Sequence, residues 1–144
     1  MSSTPRLTYF AGWGLAEQLR WVLSAGPQTS SFTQVALSSF SSFASLRASG
    51  SLLLNQLPLL EIDGLSLTQS QSMIRYVARK NKMDGGSPAM AARADMIAEG
   101  VKDARLPIVK WAFSTDKDAH FRDNVVPAVE RYYPLFESFV GGGE

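Results

Sequence analysis

The feature that most constrains this chain is the way apolar periodicity switches along roughly its first 80 residues. Arg6 to Phe10 alternates polar and apolar side chains, a strand signature. Ala11-Gly12-Trp13-Gly14 reads as a turn. Leu15, Leu19, Val22 and Leu23 then recur at helical spacing up to Ala25, where Gly26-Pro27 stops the helix. Phe32 to Leu37 reads as a second strand. The serine-rich stretch Ser38 to Ser51 has the composition of a loop, yet Phe40, Phe43 and Leu46 fall three apart and allow a short irregular helix. Leu57 to Ile62 reads as a buried strand, Asp63-Gly64 as a hairpin turn and Leu65 to Leu67 as a short returning strand. Gln69 to Lys80 carries Met73, Ile74, Val77 and Ala78 on one face of an amphipathic helix. The order β-α-β-α-β-β-α demands an α/β domain with a mixed sheet, because the βαβ crossover gives a parallel pair and the hairpin an antiparallel one.

That domain is expected over residues 1–82. The polar segment Asn81 to Ser87 reads as a linker, and a short all-α domain of two long helices is expected over 88–144. Ser87-Pro88 pairs an N-cap with proline at the first helical position. The first helix should reach about Phe113, with Met90, Ala94, Ile97, Val101 and Ile108 on its apolar face and a kink at Pro107. After a turn over Ser114 to Ala119, the second should run from about His120 to Val140. Its expected core side is Val129, Tyr132, Tyr133, Phe136 and Phe139, with a bend at Pro134 and Gly141-Gly142-Gly143 as its stop.

Composition narrows the chemistry. Among 144 residues there is no cysteine, so a protein thiol nucleophile, a redox pair and a cysteine zinc site are excluded. Any thiol chemistry must use a thiol that a ligand brings in. The single histidine, His120, argues against histidine metal sites and a histidine-dependent triad, and reads as a surface or helix-start residue. A net charge of +1 and the lack of a basic run argue against a nucleic-acid surface. No apolar run approaches the roughly 18 residues needed to span a membrane, and Met1 to Arg6 lacks a signal-like apolar core, so a soluble cytoplasmic protein is expected.

Several separate pieces match one family. Tyr9-Phe10 ends the first strand, and Gly14, Glu17, Arg20 and Trp21 follow it. Arg47 precedes the third strand, and Asn55-Gln56-Leu57-Pro58 leads into Leu59-Leu60-Glu61-Ile62-Asp63-Gly64. Leu67-Thr68-Gln69-Ser70 enters the third helix, which holds Tyr76-Val77-Ala78. Ala94-Asp95-Met96, Glu99-Gly100, Tyr133-Pro134 and Phe136-Glu137 extend the match into the second half. The chain resembles the cytosolic glutathione transferases, nearest the alpha and sigma classes, over nearly its whole length. The resemblance implies a thioredoxin-like first domain that holds glutathione as co-substrate, with neither cofactor nor metal. It implies conjugation of that thiol to hydrophobic electrophiles by a homodimer.

The roles that follow are those the resemblance implies. The peptide before Pro58 would be cis, exposing the backbone of Leu57 on an open sheet edge to pair with the glutathione backbone. Gln69 and Ser70 would seat the γ-glutamyl carboxylate at the third helix's N-terminus, assisted by Gln56. Arg47 would pair with the glycine carboxylate, and Asp103 would reach the glutathione amine across a dimer interface. Tyr9 would be catalytic. A free thiol with pKa near ~8.5 is only about 3% thiolate at pH 7. Half-ionising it needs roughly 1.5 units, or about 2 kcal/mol. One hydrogen bond to a charged group contributes about 1.5–3 kcal/mol, so a single phenol donating to the sulfur suffices. Taken singly these residues have plainer readings: a packed strand-end tyrosine, an ordinary serine N-cap, a solvated arginine, an exposed helix carboxylate.

Three departures stand against the family pattern. Leu15 and Trp13 stand where arginines are expected; the change at Leu15, close to the sulfur, should weaken thiolate stabilisation, and Trp13 should narrow the site or shape the acceptor pocket. Leu54 stands where the dimer uses an aromatic key. The family's helical domain continues for several helices beyond Val140, so apolar faces of the two helices should lie exposed, as in a fragment, a splice product or a degenerate copy. These departures keep a second reading open, that of a non-catalytic binding or structural relative like some lens crystallins. A thioredoxin-fold interaction module without a ligand is the third.

Overall fold

The computed structural model describes residues 4–141. The start of the chain before Thr4 and two of the three terminal glycines of the expected helix stop lie outside them. The chain divides into two units, Met1–Gly86 and Ser87–Glu144.

The first unit contains β1 (Arg6–Phe10), α1 (Glu17–Ala25, entered through a tight turn of 3-10 helix at Gly14–Ala16), β2 (Thr33–Leu37), α2 (Phe40–Ala48), β3 (Leu59–Ile62), β4 (Leu65–Thr68) and α3 (Ser70–Lys80). The serine-rich stretch is therefore a helix, capped by Ser39, whose hydroxyl accepts from the Ser42 N–H at 3.2 Å. The sheet order is β2-β1-β3-β4. β2 runs parallel to β1, while β3 is antiparallel to both β1 and β4. β3 is thus an inner strand, which corrects the expectation of an open edge beside Pro58. Leu57 lies instead before the strand's first residue, beyond the last ladder pair Leu59↔Thr68.

Register explains the core. Leu7 pairs with Leu60, and Leu60 with Leu67, so one face of three strands is a row of leucines. On it pack Leu19 and Leu23 of α1 and Met73 and Val77 of α3, all fully buried. Each such side chain contributes about 1.5–3 kcal/mol relative to exposure. The opposite face carries the aligned and buried Thr8, Leu59 and Thr68.

Two polar ties fix α3 against the rest of the unit. At its C-terminal end Asn81 is buried; its amide donates to Thr29 Oγ1 (3.1 Å) and the Val77 carbonyl (2.9 Å), and its Oδ1 accepts from the Gln28 N–H (2.8 Å). Gly26 is required beside them, since a Cβ there would lie 2.5 Å from Asn81 Cγ and Thr29 Oγ1. Replacing Asn81 with alanine leaves buried partners unsatisfied and should destabilise the unit by about 2 kcal/mol, read as a lower urea midpoint. The second tie reaches the hairpin, whose turn residues Asp63 and Gly64 both adopt positive φ (51° and 78°) as an Asp-Gly turn requires. Tyr76 Oη donates to Asp63 Oδ2 at 2.8 Å, and Lys80 Nζ pairs with the same oxygen at 2.9 Å. The hydrogen bond to Asp63, with smaller contributions from burial and the Asp63 charge, raises the Tyr76 phenol above its ordinary value. A raised phenol contributes stability below its unfolded value, near ~10, and loses it as pH climbs through the folded one. Wild type should therefore be more stable than Tyr76→Phe at neutral pH, and the gap should close above about pH 10 in pH-dependent thermal melts.

The second unit is α-helical among its described residues: α4 (Pro88–Ala112), α5 (Lys117–His120), a wider π turn (Phe121–Val125) and α6 (Val126–Gly141). Ser87 caps α4 by accepting from the Met90 N–H, and the helix runs through Pro107. The expected turn over Ser114 to Ala119 is shorter, because Asp116 caps α5 by accepting from the Ala119 N–H at 2.9 Å. Trp111 braces that corner, donating from Nε1 to the Lys117 carbonyl (3.1 Å) with its ring 6.1 Å from Phe121. His120 is half-buried and bonds through Nε2 to the Pro107 carbonyl at 3.0 Å, so it ties the turn to α4 rather than lying free at a helix start. Only Ala104 and Val125 are buried here among the described residues. Tyr133 and Phe139, expected in the core, are 54% and 53% exposed. Among the described residues no helix is long and apolar enough to cross a membrane.

Candidate active site

Strand polarity gathers the expected site at one end of the sheet. β1 leaves through Tyr9 and Phe10, β3 enters beside it, and β4 ends opposite the start of β3, where α3 begins. A cleft of about 520 Å³ opens there, within the usual range for small-molecule sites. Tyr9, Gln56, Leu57, Pro58, Gln69 and Ser70 all line it, with Phe10, Leu15, Phe43 and Asn55.

The Leu57–Pro58 peptide is cis. Pro58 is buried and anchors the turn, while Leu57 is half-buried at the cleft wall. Across from it, the chain turns from β4 into α3 at Gln69, whose φ of 74° lies in the left-handed region that a non-glycine residue avoids. Gln69, not Ser70, occupies the cap position; Ser70 is the first helical residue. The Gln69 side chain does not cap the helix but donates from Nε2 to Gln56 Oε1 at 2.7 Å. The first intrahelical bond runs from Met73 N–H to the Gln69 carbonyl, so the N–H groups at the start of α3 have no side-chain cap. Such a terminus attracts a carboxylate.

The Tyr9 ring is half-buried against the core, and its oxygen accepts from the Leu15 N–H at 3.2 Å. A phenol oxygen that accepts one hydrogen bond keeps its own proton to donate. Gly14 makes room for it: φ is 46°, and a Cβ would lie 2.6 Å from the Tyr9 hydroxyl. Leu15 thus meets the phenol through its backbone and also lines the cleft, while Trp13 is 80% exposed and lies outside the cleft. Trp13 lines a separate recess of about 390 Å³ with Gly12, Glu17, Arg20 and Gln34, so it does not narrow the site.

Two expected residues are not among the lining groups. Arg47 is exposed on α2, its guanidinium 6.0 Å from the Phe43 ring centre. Asp103 is exposed on α4, in the second unit. Arg20 is a residue whose part the sequence did not foretell. Its guanidinium donates to the Gly12 carbonyl (2.9 Å), the Trp13 carbonyl (3.4 Å), Gln34 Oε1 (2.9 Å) and Glu17 Oε2 (2.6 Å). The Arg20 hydrogen bond, then that from Trp21 Nε1, holds the Glu17 carboxyl below its ordinary value.

An α/β unit with a cis-proline cleft at the sheet end and a tyrosine at its mouth has known relatives. The family model described as the glutathione S-transferase N-terminal domain matches residues 5–79. The chain is 33% identical to glutathione S-transferase A4 of Mus musculus over 142 residues, 97% of this chain and 63% of that one. It is 34% identical to glutathione S-transferase alpha-5 of Rattus norvegicus over 139 residues, 95% of this chain and 62% of that one. The crystal structure of the glutathione S-transferase from Ascaris lumbricoides superposes with a TM-score of 0.83 at 28% identity, over 98% of this chain and 69% of that one. The chain belongs to the glutathione S-transferase family. It spans less than two thirds of the length of the curated relatives it matches.

Proposed function

We propose that this chain binds reduced glutathione in the sheet-end cleft and conjugates it to hydrophobic electrophiles. The observation that carries the reading is the convergence on one cleft of a tyrosine hydroxyl, a backbone segment beyond the ladder at Leu57, and an uncapped helix terminus at Gln69-Ser70. The γ-glutamyl carboxylate sits at the start of α3 against Ser70, with Gln69 and Gln56 beside it. The tripeptide backbone pairs with Leu57. The sulfur faces Tyr9, whose hydroxyl donates to the thiolate once the thiol proton has left for solvent. The thiolate then forms the S–C bond, and in a substitution the leaving group departs with its bonding pair.

Arg47 meets the glycine carboxylate from α2 in this reading, and Asp103 meets the amine of glutathione held by a second copy. A homodimer follows, with the exposed Leu53 and Leu54 before Gln56 as an apolar contact in place of the aromatic key. Neither metal nor cofactor takes part, and a cytoplasmic setting supplies the reduced thiol.

The test is retention of the chain on immobilised glutathione with elution by free glutathione, followed by turnover of a generic aromatic electrophile. Retention with turnover is expected. Retention without turnover supports the non-catalytic binder instead, and failure to be retained removes the glutathione reading.

A further inference from the structure

The loop between β1 and α1 touches the Tyr9 hydroxyl twice, yet little of its own packing holds it. Gly12 to Leu15 is exposed throughout, and Trp13 is 80% exposed. Gly14 lies under the ring with φ of 46°, and the Leu15 N–H reaches the phenol oxygen at 3.2 Å. A fixing force must come from elsewhere, and one side chain supplies it.

We propose that Arg20 is the positioning residue for the Tyr9 hydroxyl, a role that rests on reading Tyr9 as the donor to the glutathione sulfur. Arg20 stands one turn into α1 with its side chain 14% exposed. Its planar fork spans three separate pieces of chain. Nη2 holds the Gly12 carbonyl and Nη1 the Trp13 carbonyl, the two peptide groups immediately before Gly14. Nε holds Gln34 on β2, the strand paired with β1 in register Leu7↔Gln34. Nη1 also pairs with Glu17, whose second oxygen accepts from Trp21 Nε1, so the acid is itself held from the helix. The arginine therefore bolts the loop both to α1 and to the sheet that carries Tyr9. With Gly12 and Trp13 fixed, Gly14 and Leu15 arrive where the phenol needs space on one side and a donor on the other. A lysine cannot reproduce this, because a single ammonium lacks the fork that reaches two carbonyls and an amide together.

Arg20 is not among the residues that line the cleft, so its effect passes through Tyr9. That makes the prediction specific. In Arg20→Gln the Leu15 amide should exchange at least tenfold faster by native-state hydrogen exchange, while amides of the leucine row in β1 and β3 keep their protection. In the glutathione reaction, the pH midpoint of kcat/KM should move upward by half a unit or more toward that of Tyr9→Phe, with glutathione affinity changed less than twofold. Arg20→Lys should fall between the two forms. Where Arg20→Gln does not fold, Gln34→Ala and Glu17→Gln each remove one tether and should shift both readouts in the same direction by less.

An unchanged Leu15 exchange rate in the folded Arg20 variants overturns the proposal whether or not the chain turns over an electrophile. A Leu15 rate that rises with no change in pH profile, in a protein whose Tyr9→Phe form is impaired, also overturns it. A Tyr9→Phe variant with full activity strikes the catalytic reading instead and leaves the exchange result to judge the positioning of the ring.

Discussion

Replacing Tyr9 with phenylalanine should lower turnover of an aromatic electrophile by tenfold to about a hundredfold, with glutathione affinity altered less than twofold. The hydroxyl lies in the cleft with its oxygen already supplied with a donor, from Leu15, and its proton remaining to be given. A hydrogen bond to a charged acceptor contributes about 1.5–3 kcal/mol. Each 1.36 kcal/mol is tenfold in rate. In the proposed reading the thiolate is the charged state, so the loss should fall on ionisation and attack rather than on holding the tripeptide, whose carboxylate and backbone would be bound elsewhere. The pH profile should shift upward with the rate. Stability should change little, because the ring and its packing against the core remain. Steady-state kinetics across pH, with affinity from calorimetry, separate these effects.

Gly14→Ala should be nearly as damaging to turnover without adding a new chemical defect. The introduced Cβ would stand 2.6 Å from the Tyr9 hydroxyl, 3.1 Å from Cε1 and 3.2 Å from Cζ. Something must move, and the ring is the partner in reach. The residue also sits at φ 46°, where alanine costs about 1–2 kcal/mol relative to glycine. Turnover should fall toward the Tyr9→Phe level and the melting temperature should drop by several degrees. Because both changes act on one hydroxyl, they should not add. The double variant Tyr9→Phe with Gly14→Ala should turn over no more slowly than Tyr9→Phe alone, within about threefold. Additive losses would mean that Gly14 serves the site in some way other than making room for the phenol.

The parts of this molecule that could be read from its sequence are those set by local pattern. Alternation in Arg6 to Phe10 and the Asp63-Gly64 turn are local signals, and β1 and the β3–β4 hairpin stand where those signals lie. Met73 and Val77, one helical turn apart, point α3 at the core for the same reason. Ser87-Pro88 marked the start of α4 because capping is chemistry between near neighbours. What escaped depends on residues far apart in the chain. Pro58 was expected beside an open edge, but whether β3 is inner or outer is decided by β4 returning on one side and β1 lying on the other. Arg20 shows no motif that announces its four partners, because Gln34 comes within reach only through the parallel pairing of β1 and β2. Gln69 carries the positive φ rather than a glycine, so composition gave no warning of it. In the second unit, helical spacing marked Tyr133 and Phe139 as core, yet spacing names a face and not what covers it; both are half exposed, and Tyr133 borders an apolar recess with Phe136 and Ile108.

The most direct measurement is ultraviolet titration of the thiolate in the glutathione-saturated chain, compared with free glutathione. A sulfur seated against the Tyr9 hydroxyl should reach half ionisation a unit or more below the ~8.5 of a free thiol. Saturation with no displacement of that midpoint, or no saturable binding at all, would contradict a cleft built to hold glutathione with its sulfur at the phenol.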